Sequence, residues 1–364
     1  MHQLDLIMDF QYGSTGKGLI AGYLAKRGNY DTAVCSFAPN AGHTYLDKAN
    51  NVSMMTQQLP TAGLICPSVK NIMIGPGAAI HIPTFLNEIL KYGPFLKDKM
   101  IFVHPQAAIV EDYHAYMEIT GGMTKIGSTA KGVGEAYIER IRRDPRNSNT
   151  AGVRGLDDPN FKRFVCSDNM YRNVLQDAQR VIVEGAQGYS LSMYHGQYPF
   201  TTSRDVTPWQ IAADCGLPFK WASYLSPIGT LRCYPIRVNN RDGTSGPCYP
   251  DQYELSFGDL AVPVELTTVT KLARRIFTFS QLQLEEALWH CGHYYNTRLF
   301  LNFCNYFSEK MHLHDLVKAI ESPKYLAMNK PRIEWLGFGP DDGNVVGRAE
   351  FDRTTSIQTG GTGK

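Results

Sequence analysis

The chain has 364 residues, and 36 Lys and Arg stand against 34 Asp and Glu, so its formal net charge is only +2. With 43% hydrophobic residues it is too apolar for a disordered chain, and no apolar run reaches the ~20 residues of a membrane helix. A charge this even excludes a protein that gathers polyanions by bulk attraction, so neither nucleic acid nor membrane is expected as a partner.

The first residues, Met1-His2-Gln3-Leu4-Asp5, show no basic segment followed by an apolar one, so no secretory signal is read and a cytoplasmic setting is expected. The 8 cysteines include no C-x-x-C pair and read as reduced thiols. In chain order, residues 4–9 read as a short buried strand and 18–27 as the helix after it. Residues 71–74 and 100–103 are apolar runs of strand length. Between them, residues 83–91 open on a proline and place Phe85, Leu86, Ile89 and Leu90 at helical spacing. Residues 180–184 form another strand, running into Gly185. Residues 232–263, rich in Pro, Gly and Tyr, read as loops and short strands, and helical patterns return over 281–290 and 311–320. The pair His290-Cys291-Gly292-His293 and His312-Leu313-His314 matches no familiar zinc spacing and reads as surface or core residues. The polar, Gly-rich residues 354–364 read as a flexible tail, which leaves 1–353 as one catalytic domain. Alternating strands and helices predict an α/β fold, a mainly parallel sheet with helices on both faces and ligands at the carboxyl ends of the strands.

One loop carries chemistry on its own. Gly13-Ser14-Thr15-Gly16-Lys17-Gly18 lies directly between the first strand and the first helix. Glycines let backbone approach an anion, the helix N-terminus offers unpaired N–H groups, and Lys17 adds a full charge. It is not a Walker A loop, because Gln11 stands where the first Gly belongs and Gly18 where a Ser or Thr would bind magnesium. A tight turn with an exposed lysine is the plainer alternative.

Further words follow in order: Asn40-Ala41-Gly42-His43-Thr44, Gly127-Ser128-Thr129-Ala130-Lys131-Gly132-Val133-Gly134, Glu184-Gly185-Ala186-Gln187-Gly188, the segment from His195 to Ser203, and Thr268-Val269-Thr270-Lys271-Leu272-Ala273-Arg274-Arg275. In this order they resemble adenylosuccinate synthetase, over residues 4 to about 342. In that family a nucleoside triphosphate phosphorylates the 6-oxo group of a purine monophosphate, and the amine of L-aspartate then displaces the phosphate. The resemblance implies a large twisted, mainly parallel, P-loop-NTPase-like sheet, a homodimer and Mg2+. It implies a catalytic set of Ser14, Lys17 and His43, with His43 as the acid at the phosphoryl oxygens. The triphosphate would lie on Gly13 to Gly18, Gly42, His43, Thr44, Phe303, Asn305, Gly337, Gly339 and Pro340, with Ser14 and Gly42 on the metal. The purine monophosphate would lie on Ser14, Asn40, Ala41, Ser128, Thr129, Gln187 and Thr202, with Arg143 reaching it across the dimer. Aspartate would lie on Thr268, Val269, Thr270 and Arg274, whose guanidinium pairs two N–H groups with a carboxylate.

Three departures from the family pattern point to a different substrate. Ser14 stands where the family has an aspartate beside purine N1, so a 2-amino group has room, and the group that takes the N1 proton is left open. Leu272 stands where the family has an arginine on the ribose 2′-hydroxyl, which tolerates a deoxyribose. Leu301-Asn302-Phe303-Cys304-Asn305 replaces the Lys and Asp that read guanine in GTP, so an adenine donor becomes plausible. Together these resemble the bacteriophage branch of the family and imply dGMP, L-aspartate and ATP or dATP as substrates, in the host cytoplasm. The alternatives are an ordinary synthetase using IMP and GTP, and a catalytically silent nucleotide-binding protein.

Overall fold

The computed structural model describes residues 2–146, 148–239, 244–267, 271–292, 297–307, 309–324 and 330–359. The central strand, Gln3–Asp9, buries both of its faces. Leu4, Leu6 and Met8 pack with Val181, Val183 and Leu231 on one side, and Ile7 packs with Ile182 and Ile228 on the other. A strand apolar on both faces belongs inside a parallel sheet covered by helices, and that is its place. Among the described residues nine strands form one sheet, in the order Val345–Gly347, Arg332–Gly337, Arg298–Asn302, Leu225–Arg232, Gln3–Asp9, Arg180–Gly188, Thr32–Cys35, Asn71–Ile74 and Met100–Val103. All neighbours run parallel except the edge strand Val345–Gly347. The helix Lys17–Arg27 covers one face with Leu19, Ile20 and Ala21. Gln281–Cys291 and Lys310–Glu321 cover the other with Leu284, Leu288, Leu313 and Val317.

The strands expected at 71–74 and 100–103 have those bounds, and the helix expected at 83–91 is Ile82–Lys91, with its proline in the first turn. The strand expected at 180–184 continues to Gly188, because its register against the central strand shifts and Asp9 pairs with Gly188. Leu225–Arg232, unread in the sequence, holds Pro227 and Gly229, both of which break a strand pattern. Gly229 is there for contact, since a Cβ would meet the Phe10 ring at 2.6 Å. The end of the chain also differs from expectation. A helix, Arg348–Thr359, crosses the tail boundary set at 354. Buried Phe351 and ion pairs from Arg348 to Glu321 (2.6 Å) and Asp352 (2.8 Å) carry its first turns, and residues 360–364 lie outside the described ones. No helix among the described residues is long and apolar enough to cross a membrane.

One buried acid ties a helix to this sheet. Glu184, on Arg180–Gly188, is fully buried and accepts a hydrogen bond from the Ala62 amide at 2.6 Å, while its other oxygen has no partner. Burial outweighs that bond and pushes its carboxyl up to about 7. The folded value is above the unfolded one, so between about pH 4.3 and 7 the native state keeps a proton that the unfolded chain has lost, and stability falls as pH rises through that window. Urea unfolding of Glu184→Gln should therefore show a gain on the order of 3 kcal/mol over the parent at pH 8, and close to none at pH 4. A gain independent of pH would assign the effect to packing instead.

Candidate active site

The loops at the carboxyl ends of the parallel strands enclose a cleft of about 500 Å³. The Gly-rich loop forms its floor. Gly13, Ser14 and Gly16 all have positive φ (101°, 56° and 94°), and Gly16 touches the sheet so closely that a Cβ would meet Asn302 Nδ2 at 2.2 Å. Gly18 brings the first helix close to the Thr44 backbone, at 2.7 Å from a Cβ. Beneath the loop lies a carboxylate that sequence reading had passed over. Asp9 is fully buried, and it accepts from the amides of Gln11 (2.8 Å) and Gly13 (3.3 Å), from the Thr15 hydroxyl, and from Lys17 Nζ (3.3 Å). The Thr15 side chain thus points under the loop, not into the cleft. Lys17 spans from Asp9 to the Gln187 carbonyl at 3.0 Å, and Ser14 is the loop residue left exposed.

His43 begins the strand His43–Asp47, paired in a hairpin with Val52–Thr56. Its ring stacks on Phe37 with centroids 3.8 Å apart and lies on the cleft wall beside Asn40, Ala41, Gly42 and Thr44. Burial, aided by the Lys17 charge, lowers its pKa to about 3, so the imidazole is neutral at physiological pH. A neutral imidazole offers the cleft an N–H but no standing positive charge.

Ser128, Thr129, Gln187 and Thr202 also line the cleft, and Gln187 donates to Asn40 Oδ1 at 3.2 Å. Glu118, from the helix Asp112–Thr120, reaches the same wall, where it accepts from the amides of Gly132 (2.9 Å) and Gly134 (2.8 Å). Opposite stands a network that the sequence did not announce. Arg232, fully buried at the end of Leu225–Arg232, donates to the Ser14 carbonyl at 3.3 Å and pairs with both oxygens of Glu265. Its guanidinium lies 3.4 Å from the centroid of Phe303 and so occupies one face of that ring. Tyr306 donates to Glu265 at 2.7 Å. Burial works to raise the Glu265 carboxyl, but Arg232 and these hydrogen bonds outweigh it and hold the group below its usual range. Arg274 is half-buried on the cleft wall, its backbone tied to the Glu265 carbonyl at 2.8 Å. Burial lowers its pKa, and among the described residues its terminal nitrogens carry no hydrogen bond.

Pro340 lines the cleft, whereas Gly337 and Gly339 do not. Gly337 packs against Asn302, where a Cβ would stand 2.2 Å from Oδ1. Asn305 is exposed and outside the lining, as is Arg143, which ends the helix Val133–Arg142 at a φ of 55°. Leu272 lies half-buried in the turn closed by Thr267 and outside the lining, and Thr268, Val269 and Thr270 fall outside the described residues. His290 hydrogen-bonds with Tyr189 (2.6 Å) and stacks near His195, while His293 is outside the described residues.

A cleft of this make-up, on this sheet, has counterparts. The profile of the adenylosuccinate synthetase family matches residues 6–150 and 158–293. The chain belongs to the adenylosuccinate synthetase family. Within that family it is 42% identical to the N6-succino-2-amino-2′-deoxyadenylate synthase of Vibrio phage phiVC8, over 95% of this chain and 98% of that one. It is 29% identical to the adenylosuccinate synthetase of Pyrococcus horikoshii, over 75% of this chain and 76% of that one. The solved structure of the cyanophage S-2L succinoaminodeoxyadenylate synthetase, bound to dGMP and dATP as an energy donor, matches with a TM-score of 0.88 at 39% identity, covering 98% of this chain and 99% of that chain.

Proposed function

We propose that this family member joins L-aspartate to C6 of dGMP with ATP or dATP in the host cytoplasm, giving 2-amino-2′-deoxy-N6-succinyladenylate, ADP (or dADP) and phosphate. One observation carries the choice of purine. The carboxylates among the described cleft-lining residues, Glu118 and Glu265, are both engaged by their own partners, and the exposed loop residue is Ser14. A purine edge laid there meets a small hydroxyl and no free acid, so an exocyclic 2-amino group is accommodated.

In the first step purine N1 releases its proton, to an acceptor left unassigned among the cleft residues, the 6-oxygen attacks the terminal phosphorus and the diphosphate leaves. The loop amides and Lys17 hold the phosphates in line, and the neutral His43 ring donates its N–H to the charge that builds on oxygen. In the second step the amine of aspartate attacks C6 and phosphate leaves, with Arg274 gripping carboxylate. Magnesium fits the donors present: the Ser14 hydroxyl and the Gly42 carbonyl are hard, neutral oxygens on the cleft, and such an ion keeps waters and phosphate oxygens for the rest. When bound it would neutralise phosphate charge. The same reading makes the working unit a homodimer in which Arg143 serves the partner's nucleotide. Its exposure, beside the exposed Ile138 and Ile141 of the same helix, supports this.

Purine absorbance should change when dGMP, L-aspartate and Mg2+ are mixed with ATP or dATP, and far more slowly with IMP and GTP. Turnover of IMP with GTP alone would restore the ordinary synthetase, and no turnover in any combination of IMP, GMP or dGMP with ATP, dATP or GTP would leave a nucleotide-binding protein.

A further inference from the structure

Every donor on Asp9 comes from the segment that links the first strand to the first helix: two amides, one hydroxyl and one ammonium, between residues 11 and 17. A carboxylate has roughly four lone-pair sites, so Asp9 has none to spare. Shaping the loop does not explain the charge, because a neutral side-chain oxygen would accept from the Gln11 and Gly13 amides as well. A buried carboxylate beneath an anion site also repels the ligand, and a buried ion pair at 3.3 Å with one hydrogen bond does little to offset its own desolvation. The partner that needs a negative charge is Lys17, with its side chain only 9% exposed. Its ammonium bonds to Asp9 and to the Gln187 carbonyl, which leaves a third donor for the cleft.

From this geometry we infer that Asp9 is a positioning residue for phosphoryl transfer: it keeps Lys17 and the loop in their phosphate-bound arrangement while the cleft is empty, then shares Lys17 with the incoming triphosphate. The inference rests on the phosphoryl-transfer reading above. Asp9 makes the empty site resemble the filled one, at a cost in ground-state affinity. Removing its charge therefore separates binding from turnover. Asp9→Asn should lower kcat by about tenfold or more, while the KM for the triphosphate stays level or falls and calorimetry shows equal or tighter triphosphate binding. An unchanged kcat, or weaker triphosphate binding, would overturn the inference. The calorimetric arm needs no turnover, so it still reports if the assigned substrates are wrong.

A second pair of variants covers the case in which Asp9→Asn folds poorly. Lys17→Met leaves the buried carboxylate without its cation and should lower the melting temperature by about 5 °C. Adding Asp9→Asn to Lys17→Met should return most of that loss. A double variant no more stable than Lys17→Met alone would show that Asp9 serves the loop backbone and not Lys17.

Discussion

Replacing His43 with alanine should lower kcat by about a thousandfold while changing dGMP affinity by less than about twofold. The ring is held before any ligand arrives, stacked on Phe37 and set by the hairpin pairing of His43 with Thr56. Under the proposed function this buried, fixed N–H meets charge that exists only in the transition state, so its loss should fall on kcat. His43→Gln, which keeps a donor without an imidazole, should recover part of the rate. The pH profile makes the same point with a definite sign. Burial, then the Lys17 charge, bring the pKa to about 3, so His43 is neutral at every pH above that. The acid limb of kcat/KM for the free enzyme should then lack a step near the ordinary ~6.5 of histidine. A limb near 6.5 that vanishes in His43→Gln would show that the imidazolium is the working form.

Arg274→Ala should raise the KM for aspartate by about a hundredfold or more and leave the constants for dGMP and triphosphate within about threefold. The guanidinium is already desolvated, and burial, despite nearby Glu265, lowers its pKa. The carboxylate beside it is committed to Arg232. A half-buried cation whose nearest carboxylate is already paired with another arginine gains from an arriving carboxylate. Arg274→Lys should recover only about a tenth of the lost affinity, because an ammonium cannot present the parallel pair of N–H groups. Equal losses for all three substrates would place Arg274 in the framework of the site and not on aspartate.

Where the physics is local, sequence and structure agree. Gly13, Gly16 and Lys17 announce a tight strand-to-helix turn with a lysine at the helix start, because positive φ and helix entry are properties of a few adjacent residues. The period of Phe85, Leu86, Ile89 and Leu90 announces a helix for the same reason. The parts that escaped are made by distance. Asp9 reads as the polar end of a strand until four donors fold back on it. Arg232, Glu265 and Phe303 become one network only when residues 33 and 71 positions from Arg232 meet it. Leu225–Arg232 hides behind Pro227 and Gly229, which a propensity argument rejects, although the close Phe10 ring requires Gly229. The helix beyond residue 354 was likewise hidden, since its hold is Phe351 and Arg348 and not the polar residues that follow.

The placement of the first strand also sets a timetable for biosynthesis. Among the described residues, Gln3–Asp9 pairs as a strand with Arg180–Gly188 on one side and Leu225–Arg232 on the other, and with no strand nearer in sequence. At roughly 5–20 residues per second, the ribosome takes on the order of ten to forty-five seconds after making Asp9 to finish the second of these partners. Until residues 180–188 are made this mostly apolar strand has neither neighbour, and until residue 232 is made one of its edges stays unpaired. Long-range parallel pairing is slow to nucleate and open to aggregation, and this strand carries that exposure until residue 232 emerges.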